Sequence, residues 1–204
     1  MSSQGMASGQ IEASGLDAVR ASTYRLLARL LAAPATSELL AMLKQIDGAD
    51  SADSRAMATA WQTLKLAGER ATVAAVNDEY HELFIGLTRG EVVPYGSWYL
   101  TGLLMDQPLV ILRRDLTALD FERQEGVHEP EDHVSALCET MSLIIDSSEG
   151  ISFETQRNFF NGHLAPWVGR FFSDLQEAKS ARFYSAVGQL GEQFFGIERQ
   201  YLAQ

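Results

Sequence analysis

From Glu125 to Glu139 the chain reads EGVHEPEDHVSALCE, and five of its side chains could do chemistry: His128, Glu129, Glu131, Asp132 and His133. Imidazole beside carboxylate suggests a metal site or an acid/base pair. The spacing serves neither well. HEPEDH is not H-E-x-x-H, because His128 and His133 are five apart with a proline between them, so one helical face cannot present both. His81 and Glu82 could complete a metal site only through a coincidence of folding. Asp132 and His133 are neighbours, and adjacent helical residues do not face one another. Cys138 falls on an apolar stripe with no electropositive setting, the mark of an inert thiol. No G-x-S-x-G elbow is present, and the glycines between Gly86 and Gly96 match neither the P-loop nor the dinucleotide fingerprint. No catalytic residue, metal or cofactor is therefore expected.

The element that must position these residues is a helix. Pro130 suits the first helical position, and Glu131 and Asp132 then fall in the first turn, where the dipole favours carboxylates. Val134, Leu137, Cys138, Met141 and Ile145 follow at spacings of three and four, one buried stripe. At 100° per residue His133 lies on the flank of that stripe and Asp132 points away from it. Replacing Asp132 is thus expected to cost only a dipole interaction, on the order of 0.3–1 kcal/mol. Glu129 and His133 could meet across the helix start.

Around it the chain reads as helix throughout. Residues 1–14 are small and polar and read as disordered, leaving 15–204 as a single all-helical domain. Helices are expected from Leu16 to Ala33, from Ser37 to Ile46, from Ala56 to about Leu66 and from Thr72 to Phe84. The longest break is Gly86–Ser97; Val92-Val93 is too short for a strand and precedes Pro94. Helix resumes over Trp98–Met105 and Pro108–Leu119, and a second break, Asp120–Glu129, leads into the helix opened by Pro130. Further helices cover Phe153–Asn161, with Gly162 as its C-terminal stop, then His163–Ala178 and Ala181–Leu202. The last places Phe183, Val187, Leu190, Phe194, Ile197 and Tyr201 on one face. Nothing alternates with period two for long enough to claim a sheet, so the fold class is all-α.

Composition narrows the partners. With 204 residues and 46% hydrophobic content, the chain can bury a sizeable core. Twenty-seven acidic against 16 basic side chains give a net charge of −11, which disfavours nucleic acid and anionic membrane and favours basic peptides. No run approaches the ~20 apolar residues of a membrane helix, so no stable insertion is expected. The start lacks a basic-then-apolar secretory signal, and the single cysteine suits a reducing compartment; both point to the cytoplasm.

Three blocks in order carry a family resemblance. Glu129, Pro130, Asp132 and His133 fill the pattern Glu-Pro-x-Asp-His at the head of an apolar helix. Upstream stand Tyr80, Leu83 and Phe84, then Pro94, Tyr95, Ser97 and Trp98. Downstream come His163-Leu164-x-Pro166-Trp167 and Phe183-Tyr184. Together, over residues 20–202, they resemble the TorD/DmsD family of cytoplasmic chaperones for molybdenum-cofactor oxidoreductases. The resemblance implies an all-helical chaperone that catalyses no reaction. Its partners would be the catalytic subunit of such an oxidoreductase and that subunit's twin-arginine leader, held until the cofactor is inserted and export can proceed. It places leader binding on Asp132 and His133, and around them on Leu83, Phe84, Pro94, Tyr95, Trp98, Glu129 and Pro130. The residues themselves fit a groove between the two breaks, with Tyr95, Trp98 and Tyr99 giving amphipathic surface. Glu91, Glu125, Glu129, Glu131 and Asp132 would give it negative charge. Plain core packing between helices is the alternative for Tyr95 and Trp98, and for Trp98 it accounts for the residue as well as a groove does. Two other readings stay open: a helical enzyme using Asp132 and His133 as acid and base, and an interaction module forming a homodimer by helix exchange across Gly86–Ser97, as some family members do.

Overall fold

The computed structural model describes residues 3–46, 55–87, 89–123, 126, 128–147 and 151–204, with side chains from Gly15 onward. Among these residues there are ten α-helices, one π-helical turn and no strand. They are α1 (Ser3–Ala32), α2 (Ser37–Lys44), α3 (Arg55–Arg70), α4 (Val73–Tyr80), the π-turn His81–Ile85, α5 (Gly96–Thr101), α6 (Gln107–Ala118), α7 (Val134–Asp146), α8 (Phe153–His163), α9 (Val168–Glu177) and α10 (Phe183–Tyr201). No helix is long and apolar enough to cross a membrane, among the described residues. The backbone of α1 is helical from Ser3, within the stretch read as disordered from the sequence, and the side chains of residues 1–14 lie outside what is described.

Hydrophobic periodicity accounts for the packing. Val134, Leu137, Cys138, Met141 and Ile145 of α7 are all buried, as the stripe requires, and α7 lies along α1. α10 packs against α3 and α9. Its approach to α9 depends on Gly191, where an added Cβ would lie 2.2 Å from the Phe172 ring. One cluster of buried apolar side chains extends from Ala21 to Leu202.

Several boundaries differ from the periodicity reading, each for a local reason. The helix expected over Thr72–Phe84 breaks into a π-turn at His81, and Trp98–Met105 stops at Thr101, where Gly102 takes a left-handed φ of +79°. Gly162 lies inside α8, which closes at Leu164, and α9 starts at Val168, beyond Pro166. On α10 the inward position expected for Ile197 belongs to Glu198. That carboxylate accepts from Arg20 Nε (2.7 Å) and Nη2 (3.0 Å) of α1 and from the Tyr24 hydroxyl (3.0 Å). Arg20 Nη1 also donates to Gln156 (3.0 Å) and Asp17 (2.7 Å), so the buried guanidinium ties α1 to α8 and α10. A second buried carboxylate, Glu79 of α4, accepts from the backbone N–H groups of Arg182 (2.7 Å), Phe183 (3.0 Å) and Tyr184 (2.7 Å) and so caps α10 from another helix.

Removing one partner of a buried ion pair leaves the other charge uncompensated, so Glu198→Ala is expected to destabilise by roughly 3–5 kcal/mol. Met141→Ala, a core cavity, should cost about 2–5 kcal/mol. Urea midpoints at constant m-value check both, and a Glu198→Ala midpoint equal to wild type would show that the network contributes nothing.

Candidate functional site: the Glu-Pro-x-Asp-His turn and the groove beside it

The Glu-Pro-x-Asp-His run does not open the helix. Pro130 to His133 form a turn closed by His133 N donating to Pro130 O (3.1 Å), and α7 begins only at Val134. The reason lies on the other break. Tyr95 and His133 pair as an isolated antiparallel bridge, with Gly96 N donating to Asp132 O and Val134 N to Pro94 O, both at 2.9 Å. α5 and α7 therefore start side by side.

Asp132 corrects the expectation of an outward carboxylate. It is only 3% exposed, and its Oδ2 accepts from Ser97 N (2.8 Å) and Ser97 Oγ (2.5 Å) at the start of α5. Its Oδ1 is buried without a hydrogen-bond partner among the described residues. His133 is buried as well and caps α7: Nδ1 accepts from Ser135 N (3.2 Å) and from the Ser135 hydroxyl (2.6 Å). Its ring stands edge-on to Tyr95, with centroids 5.0 Å apart. The two side chains turn to different partners, so the acid/base pair of the enzyme reading does not form. Burial lowers the His133 pKa to about 4, against the raising influence of the Glu129 and Asp132 charges.

Glu131 does not serve a helix dipole either. It holds Arg113 through Nε and Nη2 and Arg123 through Nη2, each at 2.9 Å. Burial opposes its ionisation, but these guanidinium contacts win and lower its pKa. Glu129 is exposed and accepts from the Tyr95 hydroxyl, whose pKa is raised by burial first and by that bond second.

Beside the turn, α6, α7 and the segment after α6 enclose a groove of about 430 Å³. Leu116, Phe121, Ala136 and Leu143 give it an apolar lining, and Glu122, Glu129, Glu131 and Glu139 stand around it with Arg113 and Arg123. Both arginines are engaged by Glu131, whereas the carboxylates of Glu122 and Glu139 have no partner among the described residues.

Of the nine candidate residues, only Glu129 lines this groove. Tyr95, Pro130, Asp132 and His133 lie at the bridge that supports it, and Pro94 is buried there as an acceptor. Leu83 is fully buried in the core. Phe84 is half-buried against Tyr80 and Tyr184, and half-buried Trp98 carries Arg89 over its ring at 4.9 Å. Of the other acids, Glu91 instead latches the α9–α10 connection through Lys179 N (2.8 Å) and Ser180, while Glu125 lies outside the described residues. Among the described residues no three His, Cys, Asp or Glu side chains group as a metal site. Sequence reasoning missed Glu139 and Leu143, although Ala136, Glu139, Thr140 and Leu143 repeat at helical spacing as the second face of α7.

The family model described as nitrate reductase delta subunit matches residues 50–173, which include the turn, the bridge and the groove. The chain belongs to that family. Relatives named chaperone protein TorD share its sequence: that of Vibrio atlanticus is 28% identical over 61% of this chain and 63% of its own length, so the chain spans under two thirds of that relative. The one from Shewanella pealeana is 23% identical over 94% of this chain and 93% of its own. A solved structure titled a putative redox enzyme maturation protein, from Archaeoglobus fulgidus, has the same fold, with a TM-score of 0.58 at 15% identity over 87% of this chain and 93% of that one. The TorD resemblance carried by the three sequence blocks and the all-helical fold class are thus borne out.

Two measurements follow from the turn. Asp132→Ala strands the buried Ser97 N–H, so it should cost roughly 1–3 kcal/mol, more than the sequence implied. His133 binds fewer protons folded than unfolded, its pKa lying at about 4 against 6.5. Stability from it is therefore complete above pH 6.5 and is lost as pH falls toward 4, by up to about 3 kcal/mol. His163, whose pKa burial also lowers against the pull of Asp115, adds to the same slope. Unfolding free energy measured across that range should lose part of its slope in His133→Asn; an unchanged slope would refute the assignment.

Proposed function

We propose that this chain is a cytoplasmic chaperone, one helical domain over residues 15–204. Its client would be the catalytic subunit of a molybdenum-cofactor oxidoreductase, whose twin-arginine leader it holds in the α6–α7 groove until the cofactor is in place. Membership of the family and the TorD relatives support the chaperone class. The observation that carries the leader reading is a pair of carboxylates, Glu122 and Glu139, without a partner among the described residues and beside an apolar lining. Guanidinium groups pair bidentately with carboxylates, and the leader's apolar residues would cover Leu116, Phe121 and Leu143. Asp132 and His133 act here as positioning residues: they hold the turn that presents Glu129 and Glu131. The reading involves binding and release, with no reaction catalysed.

Exposed charges are screened over ~8 Å at physiological ionic strength, whereas apolar contact is not. Affinity for a leader peptide should therefore fall as sodium chloride rises and then level off, with most of the loss in the association rate. A leader with paired lysines should keep the salt slope and lose affinity, the difference reporting bidentate pairing. Glu139→Gln should flatten the slope. Calorimetric titration at several salt concentrations decides it, and a salt-independent affinity would remove the acidic groove from the proposal.

A further inference from the structure

A second cavity, of about 580 Å³, lies between α3, α4, α9 and the start of α10 and shares no lining residue with the α6–α7 groove. Helical spacing builds it. Thr63, Leu66, Ala67 and Arg70 form one face of α3, and Arg182, Ser185, Ala186 and Gln189 one face at the start of α10. Ala67, Ala71, Ala75 and Ala186 are too small to fill the space these elements enclose, and buried Val76 and Phe183 give it an apolar floor. Leu66 lines it as well and is left 41% exposed.

The charge of this cavity is the reverse of the groove's. The chain carries a net charge of −11, yet two arginines line the cavity against one acid. That acid, Glu79, is already engaged by three backbone N–H groups at the start of α10. Arg182 is held in place, with Nη1 donating to Lys179 O (2.9 Å) and Ala181 O (2.7 Å), while Nε and Nη2 have no acceptor among the described residues. The side chains of Arg70, Ser185 and Gln189 have no partner among the described residues either. A helical serine can turn back to the carbonyl four residues before it, but here that carbonyl, Ala181 O, accepts from Arg182. Donors without acceptors, set around an apolar floor, suit an anion with an apolar body.

The same contacts choose between anions. Phosphate is recognised by free N–H groups at a helix start or in a glycine-rich nest. At α10 those N–H groups are taken by Glu79, whose own charge opposes a dianion, and no glycine lines the cavity. The planar fork of an arginine pairs bidentately with a single carboxylate. We propose that this cavity binds a small organic acid. Its one carboxylate pairs with Arg70 and Arg182, beside Ser185 and Gln189, and its apolar body covers Val76, Phe183 and the alanines. A cavity of about 580 Å³ is of the size that holds such a molecule. The ligand lies against Glu79, which joins α4 to α10, so its binding stabilises the fold. The site is independent of the leader reading.

The test is a titration of the full chain with hexanoate, followed by the methyl resonances of Ala71, Ala75, Val76 and Ala186 and by the melting temperature. Hexanoate should saturate one site and raise the melting temperature. Butyrate, two methylene groups shorter, should bind about tenfold more weakly. Hexanamide, the same body without the charge, should also lose about tenfold or more. Inorganic phosphate should not compete. Arg70→Gln removes an exposed side chain with no partner to lose among the described residues. It should weaken hexanoate about tenfold and leave the melting temperature of the unliganded chain unchanged, and Arg70→Lys should restore only part of the affinity. Glu139→Gln, in the groove, should leave hexanoate binding as it is, so the two sites fail separately. The proposal is overturned if hexanoate does not saturate, binds no better than hexanamide, or is indifferent to Arg70→Gln. Phosphate competing as well as hexanoate also overturns it, since the cavity would then be a phosphate site.

Discussion

A buried carboxylate holds the two halves of this site together. Asp132 accepts both the N–H and the hydroxyl of Ser97, while its own carbonyl accepts from Gly96, so the starts of α5 and α7 cannot separate without stranding buried polar groups. His133, next in the chain, caps α7, and its ring packs on Tyr95, which in turn donates to Glu129. Each member of the Glu-Pro-x-Asp-His run thus has a separate structural task. The acid and the imidazole look like a catalytic pair only when written on one line.

Apolar spacing made the fold readable. The α7 stripe from Val134 to Ile145 is buried residue for residue, and the helices lie close to where periodicity and prolines put them. The helix boundaries that differ do so for local reasons, but the misplaced polar side chains share one cause: polar groups satisfied across the chain rather than along it. Nothing local in Asp132 reveals that Ser97, thirty-five residues earlier, will turn it inward. Nothing local in Glu198 reveals Arg20, which draws a carboxylate into the helix face where Ile197 was expected. Glu79 capping α10 belongs to the same class. Local pattern predicts where a side chain goes when burial is decided by hydrophobicity, and fails when it is decided by a distant partner.

The candidate site was legible by resemblance more than by chemistry, and the residues singled out by the resemblance lie at the turn and bridge beside the groove rather than, Glu129 apart, in its lining. The motif lies beneath a groove in which Glu139, without a partner among the described residues, stands on the outward face of α7, one turn beyond the residues that drew attention. A motif of buried, mutually bonded residues is under tight geometric constraint whatever the groove binds, whereas groove side chains can change without cost to the fold. The buried residues that hold the turn and the exposed acids proposed to meet a peptide are therefore different residues, the first before α7 and Glu139 on it.

Glu131 links the two. By engaging Arg113 and Arg123 it gathers the cations of the groove onto one carboxylate. Tethered guanidinium groups compete at high effective concentration for any acid within reach. Were Arg113 free to swing to Glu139, an incoming arginine would have to displace it and would gain correspondingly less. With both arginines held, Glu122 and Glu139 keep their charge unneutralised at the groove's edge. The turn that places Glu131 thus also sets the field that a basic peptide would meet, and that turn exists because Asp132 is fastened to Ser97.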